Sequence, residues 1–272
     1  MAIHDLRKAV ILARGLGKRM RAESESATLS ADQASAADKG VKALIPIGRP
    51  FLDYVLSALA DSGFGEVCLV TGAEHTALRE QYERVSVPVR VRVSFAIQEK
   101  PLGTADAVLA AEKFTGGDPF VVLNSDNYYP ASALGALRTA PPPAIAGFAV
   151  SALLEGNVPA DRVTRFGALE VDDQGFLRRI VGDPEKARAS TGGELYASMN
   201  CWSFTREIFD ACRSIGMSAR GELELTQAVQ RAIDLGSMRL GVVLRRDIVL
   251  DMSTRGDIAA VAKLLSHVRV EL

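Results

Sequence analysis

Two aspartates, a lysine and a glycine turn followed by paired cations are the residues of this chain best suited to chemistry on phosphates. The stretch KAVILARGLGKRM, residues 8–20, begins as an apolar strand and breaks at Gly15 and Gly17 into a turn carrying Lys18 and Arg19. Glycines let a backbone approach a polyanion and aim successive N–H groups at it, while adjacent cations neutralise charge that amides alone cannot. Lys42 precedes the short apolar segment 43–47. Asp126 ends the strand PFVVLNSD, residues 119–126, and Asp251 ends a later apolar run. Ligands of open α/β sheets bind beyond the carboxyl ends of strands. A carboxylate there either holds a magnesium ion or closes an Asx-turn, and Asp251 matters to a metal only if it lies beside Asp126.

Two common glycine motifs are excluded. The dinucleotide fingerprint requires a third glycine where Met20 stands, and a Walker A loop requires Ser or Thr after Gly17-Lys18, where Arg19 follows. A second ligand element is QEKPLGTADAVLAAEKF, residues 98–114, a turn with Pro101 and Gly103 leading into an alanine-rich helix that Thr104 can cap. A helix opening from a glycine turn offers a site for an anion or a base edge, and Gln98 brings both a donor and an acceptor. A plain strand-to-helix connection would use the same residues. Asn200, polar within the apolar run 196–204, is either satisfied by backbone or turned toward a ligand.

The elements that position these residues follow from periodicity. Strands are expected at 9–13, 66–71 and 87–95, the last from strict alternation, with helices at 50–62 and 74–84 between them. That β-α-β-α-β order predicts parallel strands joined by helical crossovers. Residues 21–40, small and charged, show no sustained apolar periodicity and read as a mobile loop, either a tolerated insertion or a ligand cover. Beyond Asp126 come a short helix at 131–139, a long apolar strand AIAGFAVSALL, a hairpin around 172–175 and a loop at 182–193. A strand at 196–204 follows, then helices at 206–214 and 223–235, a strand at 239–245 and a final helix capped by Ser253 or Thr254.

With 272 residues, 48% hydrophobic and 24% charged, the chain can bury a sizeable core, and its unbroken strand-helix pattern predicts one domain. A formal net charge of −1 supplies no general field for nucleic acid or an anionic membrane, so an anion must be gripped locally. No apolar run approaches the ~18 residues of a membrane span, and no secretory h-region is evident, which makes the cytoplasm the expected location. Cys68, Cys201 and Cys212 read as reduced core residues, and His4, His75 and His267 lack transition-metal spacing. Any metal should be hard and oxygen-bound.

Taken together, LARGLGKRM, Lys42 before ALIPI, PLGTADAV, VLNSD, RFGALEVDDQG, SMNCWSF, GELELTQAV and VLDMST resemble, in order and interval, the sugar-1-phosphate nucleotidyltransferases. The resemblance spans nearly the whole chain. It implies a three-layer αβα sandwich with a Rossmann-like, mixed, mostly parallel sheet, in which residues up to about 130 bind nucleotide and 131–272 bind sugar. The implied reaction transfers a nucleotidyl group from a nucleoside triphosphate to a sugar-1-phosphate, with Mg²⁺, and releases pyrophosphate. The resemblance assigns catalysis to Arg19, Lys42, Asp126 and Asp251, the two aspartates also holding the metal. It assigns the nucleotide to Leu12, Ala13, Arg14, Gly15, Gly17, Lys18, Gln98, Pro101, Gly103 and Thr104, and the sugar to Gly167, Asn200 and Glu222. A homo-oligomer is compatible with it.

The chain also departs from the pattern. Arg14 replaces a small residue, Lys18 replaces threonine, the 21–40 segment is longer than is common, and Gly182-Asp183-Pro184 stands where relatives carry Glu-Lys-Pro. These changes leave the acceptor open between a sugar phosphate and a cyclitol phosphate. GTADAV with the ASM of the 196–204 strand resembles adenylyl-transferring enzymes, whereas LGTA also occurs in guanylyl and uridylyl relatives, so the base stays open too. Two other functions use the same residues: a catalytically silent sensor of this fold, and transfer to a non-sugar phosphate such as phosphocholine.

Overall fold

A computed structural model describes residues 6–15, 17–22, 29–181 and 184–272, without the side chains of Lys18 and Val181. The readings made on His4, on Gly182-Asp183 and on the middle of the 21–40 segment lie outside the described residues. The chain opens with β1 (Lys8–Leu12), α1 (Lys18–Arg21), α2 (Ala31–Lys39), α3 (Phe51–Asp61), β2 (Glu66–Thr71), α4 (Thr76–Glu80) and β3 (Arg92–Ile97). It continues through α5 (Thr104–Ala110), α6 (Glu112–Thr115), β4 (Phe120–Asn124), β5 (Asn127–Tyr128), α7 (Ala131–Thr139), β6 (Ala144–Ala149), α8 (Val150–Glu155) and α9 (Ala160–Val163). The rest comprises β7 (Ala168–Val171), β8 (Leu177–Val181), α10 (Pro184–Ser190), β9 (Tyr196–Phe204), α11 (Glu207–Arg213), α12 (Leu225–Asp234), β10 (Gly241–Arg245), β11 (Leu250–Asp251) and α13 (Asp257–Leu265).

The main sheet runs β10-β6-β9-β4-β1-β2-β3, with the β7–β8 hairpin attached to β9. β1 pairs in parallel with β2 and β4, β2 with β3, and β6 with β10, while β9 runs against both β4 and β6. The sheet is thus mixed and mostly parallel, with helices on both faces, as the β-α-β-α-β order predicted. Its strands are apolar on both sides because each face is covered. One face packs Phe51, Leu52, Leu56, Leu134 and Val261 against the strands; the other packs Val108, Phe209 and Val229 around Trp202 of β9. Parallel strands covered this way end together, so β1, β2, β3 and β4 deliver Ala13, Gly72, Gln98 and Asn124 to one edge.

Several expected elements are corrected by what they find to pair with. The alternation at 87–95 becomes strand only from Arg92, because β2 offers partners only from Glu66 onward, and Val87 and Val89 are left exposed. The apolar run after Pro143 stops being strand at Ala149, where β9 runs out at Tyr196, and continues as α8. The loop expected at 182–193 contains α10, opened by Pro184 at a position where a missing N–H costs nothing and anchored by buried Ala187. The final helix is not capped by Ser253 or Thr254. The carboxylate of Asp257 reaches back instead and accepts from the backbone N–H groups of both, at 3.0 and 2.7 Å.

The 21–40 segment is the largest correction. Its described part is not loop but α2, closed at its start by a reciprocal capping box between Ser30 and Gln33 and at its end by Gly40 in the left-handed conformation. Low apolar periodicity hid it, since α2 buries only Ala37. Its local signals, serine at the cap, glutamine three residues on and glycine past the end, are those of a helix fixed by its termini.

All three cysteines are buried, in β2, β9 and α11. Burial pushes the Cys68 thiol up to about 11 and that of Cys212 to about 12, and it lifts that of Cys201 as well. Thiols so raised hold little thiolate at pH 8. The native protein should therefore leave a colorimetric thiol reagent unreacted at that pH and titrate all three cysteines only in denaturant; prompt reaction of any one in the native state contradicts this packing.

Candidate active site

At the shared strand edge lies a cleft of about 270 Å³. The end of β1 supplies Leu12 to its wall, and the chain just beyond supplies Ala13, Arg14, Gly15 and Gly17. Gly17 has φ +59°, and a Cβ there would lie 2.4 Å from the carbonyl oxygen of Gly40, so only glycine allows the turn to pack on the end of α2. Gly40 in turn delivers Lys42, which begins a short 3₁₀ turn and donates to Asp126 Oδ2 at 2.8 Å within the cleft.

The acids meet through a two-residue antiparallel pair. β11 lies against β5 with Asp251 opposite Asn127, and the Met252 N–H donates to the Asp126 carbonyl at 2.8 Å. Asp251 is buried, and its carboxylate accepts from Arg162 (2.9 Å), Ser253 (3.0 Å) and Asn127 (3.1 Å). Burial, and after it the neighbouring charge of Asp126, push the Asp251 carboxyl above its ordinary value. Two hard carboxylates close enough to feel one another are a donor set that magnesium takes together with phosphate oxygens and water. Among the described residues no group of three or more His, Cys, Asp or Glu forms, so a metal here would depend on substrate oxygens for its other ligands. Lys42 and Arg162 are the competing cations it would meet.

Gln98, Pro101, Gly103 and Thr104 line the opposite wall. Gln98 is buried, and its amide donates to the Gly103 carbonyl at 3.0 Å and to Asp106 at 2.8 Å, leaving Oε1 as the polar atom it can offer. Arg14 reaches across this end, donating to the Gln98 carbonyl and pairing with Glu74 at 3.3 Å. Thr104 does not cap its own helix: α5 has Gly103 at its N-cap and no side-chain bond there. The Thr104 hydroxyl instead accepts from the Leu225 N–H at 2.8 Å, at the first residue of α12. With Ala105 N donating to Leu223 O and Leu223 N to Leu102 O, it zips the PLGTA and GELEL segments together and brings Glu222 into the cleft.

The family model for nucleotidyl transferase matches residues 8–251. The chain belongs to this nucleotidyl transferase family. It is 31% identical over 241 residues to a glucose-1-phosphate thymidylyltransferase of Streptomyces antibioticus, covering 85% of this chain and 58% of that protein. It is 26% identical over 251 residues to a protein of the same name from an Actinoplanes species, covering 92% of this chain and 75% of that one. The chain thus spans little more than half the length of the Streptomyces relative. Its fold matches the solved inositol-1-phosphate CTP transferase of T. maritima with a TM-score of 0.73 at 18% identity, over 96% of both chains.

Not every residue expected from family resemblance reaches the cleft. Arg19 is exposed on α1 and is not among the lining residues, nor are Gly167, Asn200 and Asp251. Gly167 lies just before β7, where its carbonyl accepts from the Ser198 N–H and a Cβ would strike Ile180. Asn200 sits on β9 with φ +55°, a left-handed residue inside a strand, beside the register shift between β6 and β9. Such backbone settings in non-glycine residues cluster at functional sites. Arg162, Asn157 and Asp106 were missed: Arg162 and Asn157 belong to no motif and gain their roles only by holding the carboxylate and the backbone of Asp251, 89 and 94 positions away, while Asp106, inside the PLGTADAV segment, receives the amide of Gln98. Asp106 alone left a trace, as an acid in the first turn of a helix.

The Thr104–Leu225 bond ties the start of α12 to the Gln98 wall of the cleft. Thr104→Val should leave a half-buried N–H unpaired and lower stability by about 1–3 kcal/mol, read as a fall in the urea midpoint with the m-value unchanged. A midpoint within error of the parent would remove this bond from the structure.

Proposed function

We propose that this chain transfers a nucleotidyl group from a nucleoside triphosphate to a sugar-1-phosphate or a related cyclitol phosphate. What carries the proposal is one juxtaposition: the Gly15–Gly17 turn, Lys42, Gln98 and Asp126 share a cleft, with Asp251 beside Asp126, in a chain of the nucleotidyl transferase family. An acceptor phosphate oxygen attacks the α-phosphorus in line, the bond to the β-phosphate oxygen breaks, and its electron pair leaves with pyrophosphate. The nucleophile is already an anion, so the protein's task is positioning and charge neutralisation. Lys42 draws the two anionic reactants together, and Lys18 and Arg19 steady the departing pyrophosphate. Leu12, Ala13, Arg14, Gly15, Gly17, Lys18, Gln98, Pro101, Gly103 and Thr104 hold the nucleotide, and Gly167, Asn200 and Glu222 bind the acceptor. Asp126 and Asp251 would hold a magnesium ion, which when bound offsets charge building on the phosphates. We take residues 1–130 as the nucleotide half and 131–272 as the acceptor half of one domain acting in the cytoplasm.

Gln98, read together with the names of two relatives, points to the base. With its amide N–H groups spent on Gly103 and Asp106, it offers an acceptor, which suits the N3–H of thymine or uracil and accords with the thymidylyltransferase names of two relatives. In a panel of triphosphates and sugar phosphates read by pyrophosphate release, dTTP or UTP should exceed ATP and GTP by about tenfold or more in kcat/KM, the scale of one lost hydrogen bond to a buried group. Preference for a purine would overturn the base assignment. Binding of a triphosphate without turnover would point to a sensor, and turnover with phosphocholine alone to a non-sugar acceptor.

Asp126→Asn should abolish turnover while leaving the circular dichroism spectrum unchanged; near-normal pyrophosphate release would defeat the assignment. Arg19→Ala should cost about 2 kcal/mol of transition-state stabilisation, roughly thirtyfold in kcat/KM. An unchanged rate would remove Arg19 from the reaction, as its exposed position outside the cleft lining allows.

A further inference from the structure

The phosphate turn continues into α1, a helix of only four residues. So short a helix cannot hold itself in water, and the carbonyl groups of its last turn have no partners within it. Arg255 supplies them. Its guanidinium, 11% exposed, donates to Met20 O at 3.0 Å, to Ala22 O at 3.1 Å and to Arg21 O at 3.3 Å, over more than 230 positions of sequence, and pairs with Asp38 of α2 at 2.5 Å. Arg255 itself lies four residues beyond Asp251, on a loop pinned by the Asp257 carboxylate to Ser253 N and Thr254 N. The side chain of Asp257 is gripped in turn by Arg162, whose guanidinium also holds Asp251.

A second set of contacts closes the same assembly from the other side. Arg21 of α1 donates to Lys39 O at the end of α2 at 3.0 Å, and Gly17 packs directly on Gly40. Gln33 of α2 donates to Pro46 O at 2.9 Å, beyond Lys42. The helix α2 is therefore a buttress between the phosphate turn and the lysine, and Arg255 ties both α1 and α2 to the segment that follows Asp251.

We propose that Arg255 is a positioning residue for nucleotidyl transfer, fixing the phosphate turn and α1 relative to the Asp126–Asp251 pair without itself touching substrate. The functional half of this rests on the reading given above; the structural half does not. Guanidinium geometry matters here, because one planar fork meets three carbonyls and a carboxylate at once, which an ammonium cannot do.

The test joins hydrogen exchange with kinetics in the whole chain. Arg255→Ala should speed amide exchange in a peptide spanning residues 17–22 by at least about tenfold while β1 and β4 keep their protection, since removing the cap frees a local unit of structure. It should lower kcat by about tenfold or more and leave KM for the acceptor phosphate within about twofold, because the charge that α1 carries acts chiefly on the leaving group. Arg255→Lys, which keeps the charge and one donor direction, should fall between parent and alanine in both readouts, and it serves in place of the alanine variant if that variant does not fold. Faster exchange at 17–22 with kcat unchanged would overturn the positioning role, and unchanged exchange would overturn the clamp. If the parent shows no nucleotidyl transfer with any triphosphate, the functional reading alone fails, and the exchange contrast still decides whether Arg255 holds the turn.

Discussion

Two carboxylates brought together at the edge of a covered sheet repel, and burial magnifies the repulsion by removing the water that would screen it. Much of this protein's site is the answer to that constraint. Asp126 and Asp251 are forced close by the short β5–β11 pair and the Met252–Asp126 backbone bond. Lys42 answers one charge and Arg162 the other, while Asn127 and Ser253 both donate to the remaining oxygen of Asp251, Oδ1. Breaking such a set by removing one partner leaves an uncompensated buried charge, which is far worse than never having built it. The compensating cations come from separate parts of the chain, so the acid pair also dictates where those parts lie.

The same constraint gives the cleft its polarity. Lys42 stands in the cleft with Asp126, so positive and negative charge face one another where phosphates and a hard cation would exchange places with them. The opposite wall is organised by hydrogen bonds, from Gln98 to Gly103 and Asp106 and from Leu225 to Thr104. One side thus sets opposite charges against each other, while the other is held by hydrogen bonds of a neutral amide. That division follows from which strand ends face each other across β1, with β4 on one side and β2 and β3 on the other.

Much of the architecture was legible because burial on both faces writes itself as apolar runs. β1, β2, β4 and β9 were read from such runs, and so were the helices whose apolar residues recur at helical spacing, α3 among them. Where the reading failed, the missing information was the partner. Alternation at 87–95 looks like strand until β2 proves too short to pair with its first half. The run after Pro143 looks like one strand until β9 ends. α2 escaped notice for a different reason: it is held by its caps and by Arg21, Gln33 and Asp38 reaching out of it or into it, and so carries almost no apolar signature. Thr104 was rightly read as a cap, but of the wrong helix, since a hydroxyl's nearest N–H in space need not be its nearest in sequence.

Residue type, local spacing and order along the chain were enough to determine the parallel sheet, the glycine turn with its cations, the acids at strand ends and the likeness to the nucleotidyl transferase family, because each is a property of neighbours in sequence. Only the tertiary structure decided that Asp251 lies beside Asp126, that Arg162 holds Asp251, that Arg255 bonds to both α1 and α2, that Arg19 is exposed outside the cleft lining, and that α2 packs against the glycine turn. Those are contacts between residues tens to hundreds of positions apart. Their free energy exists only once the chain has closed the loops between them, so no local pattern can carry it.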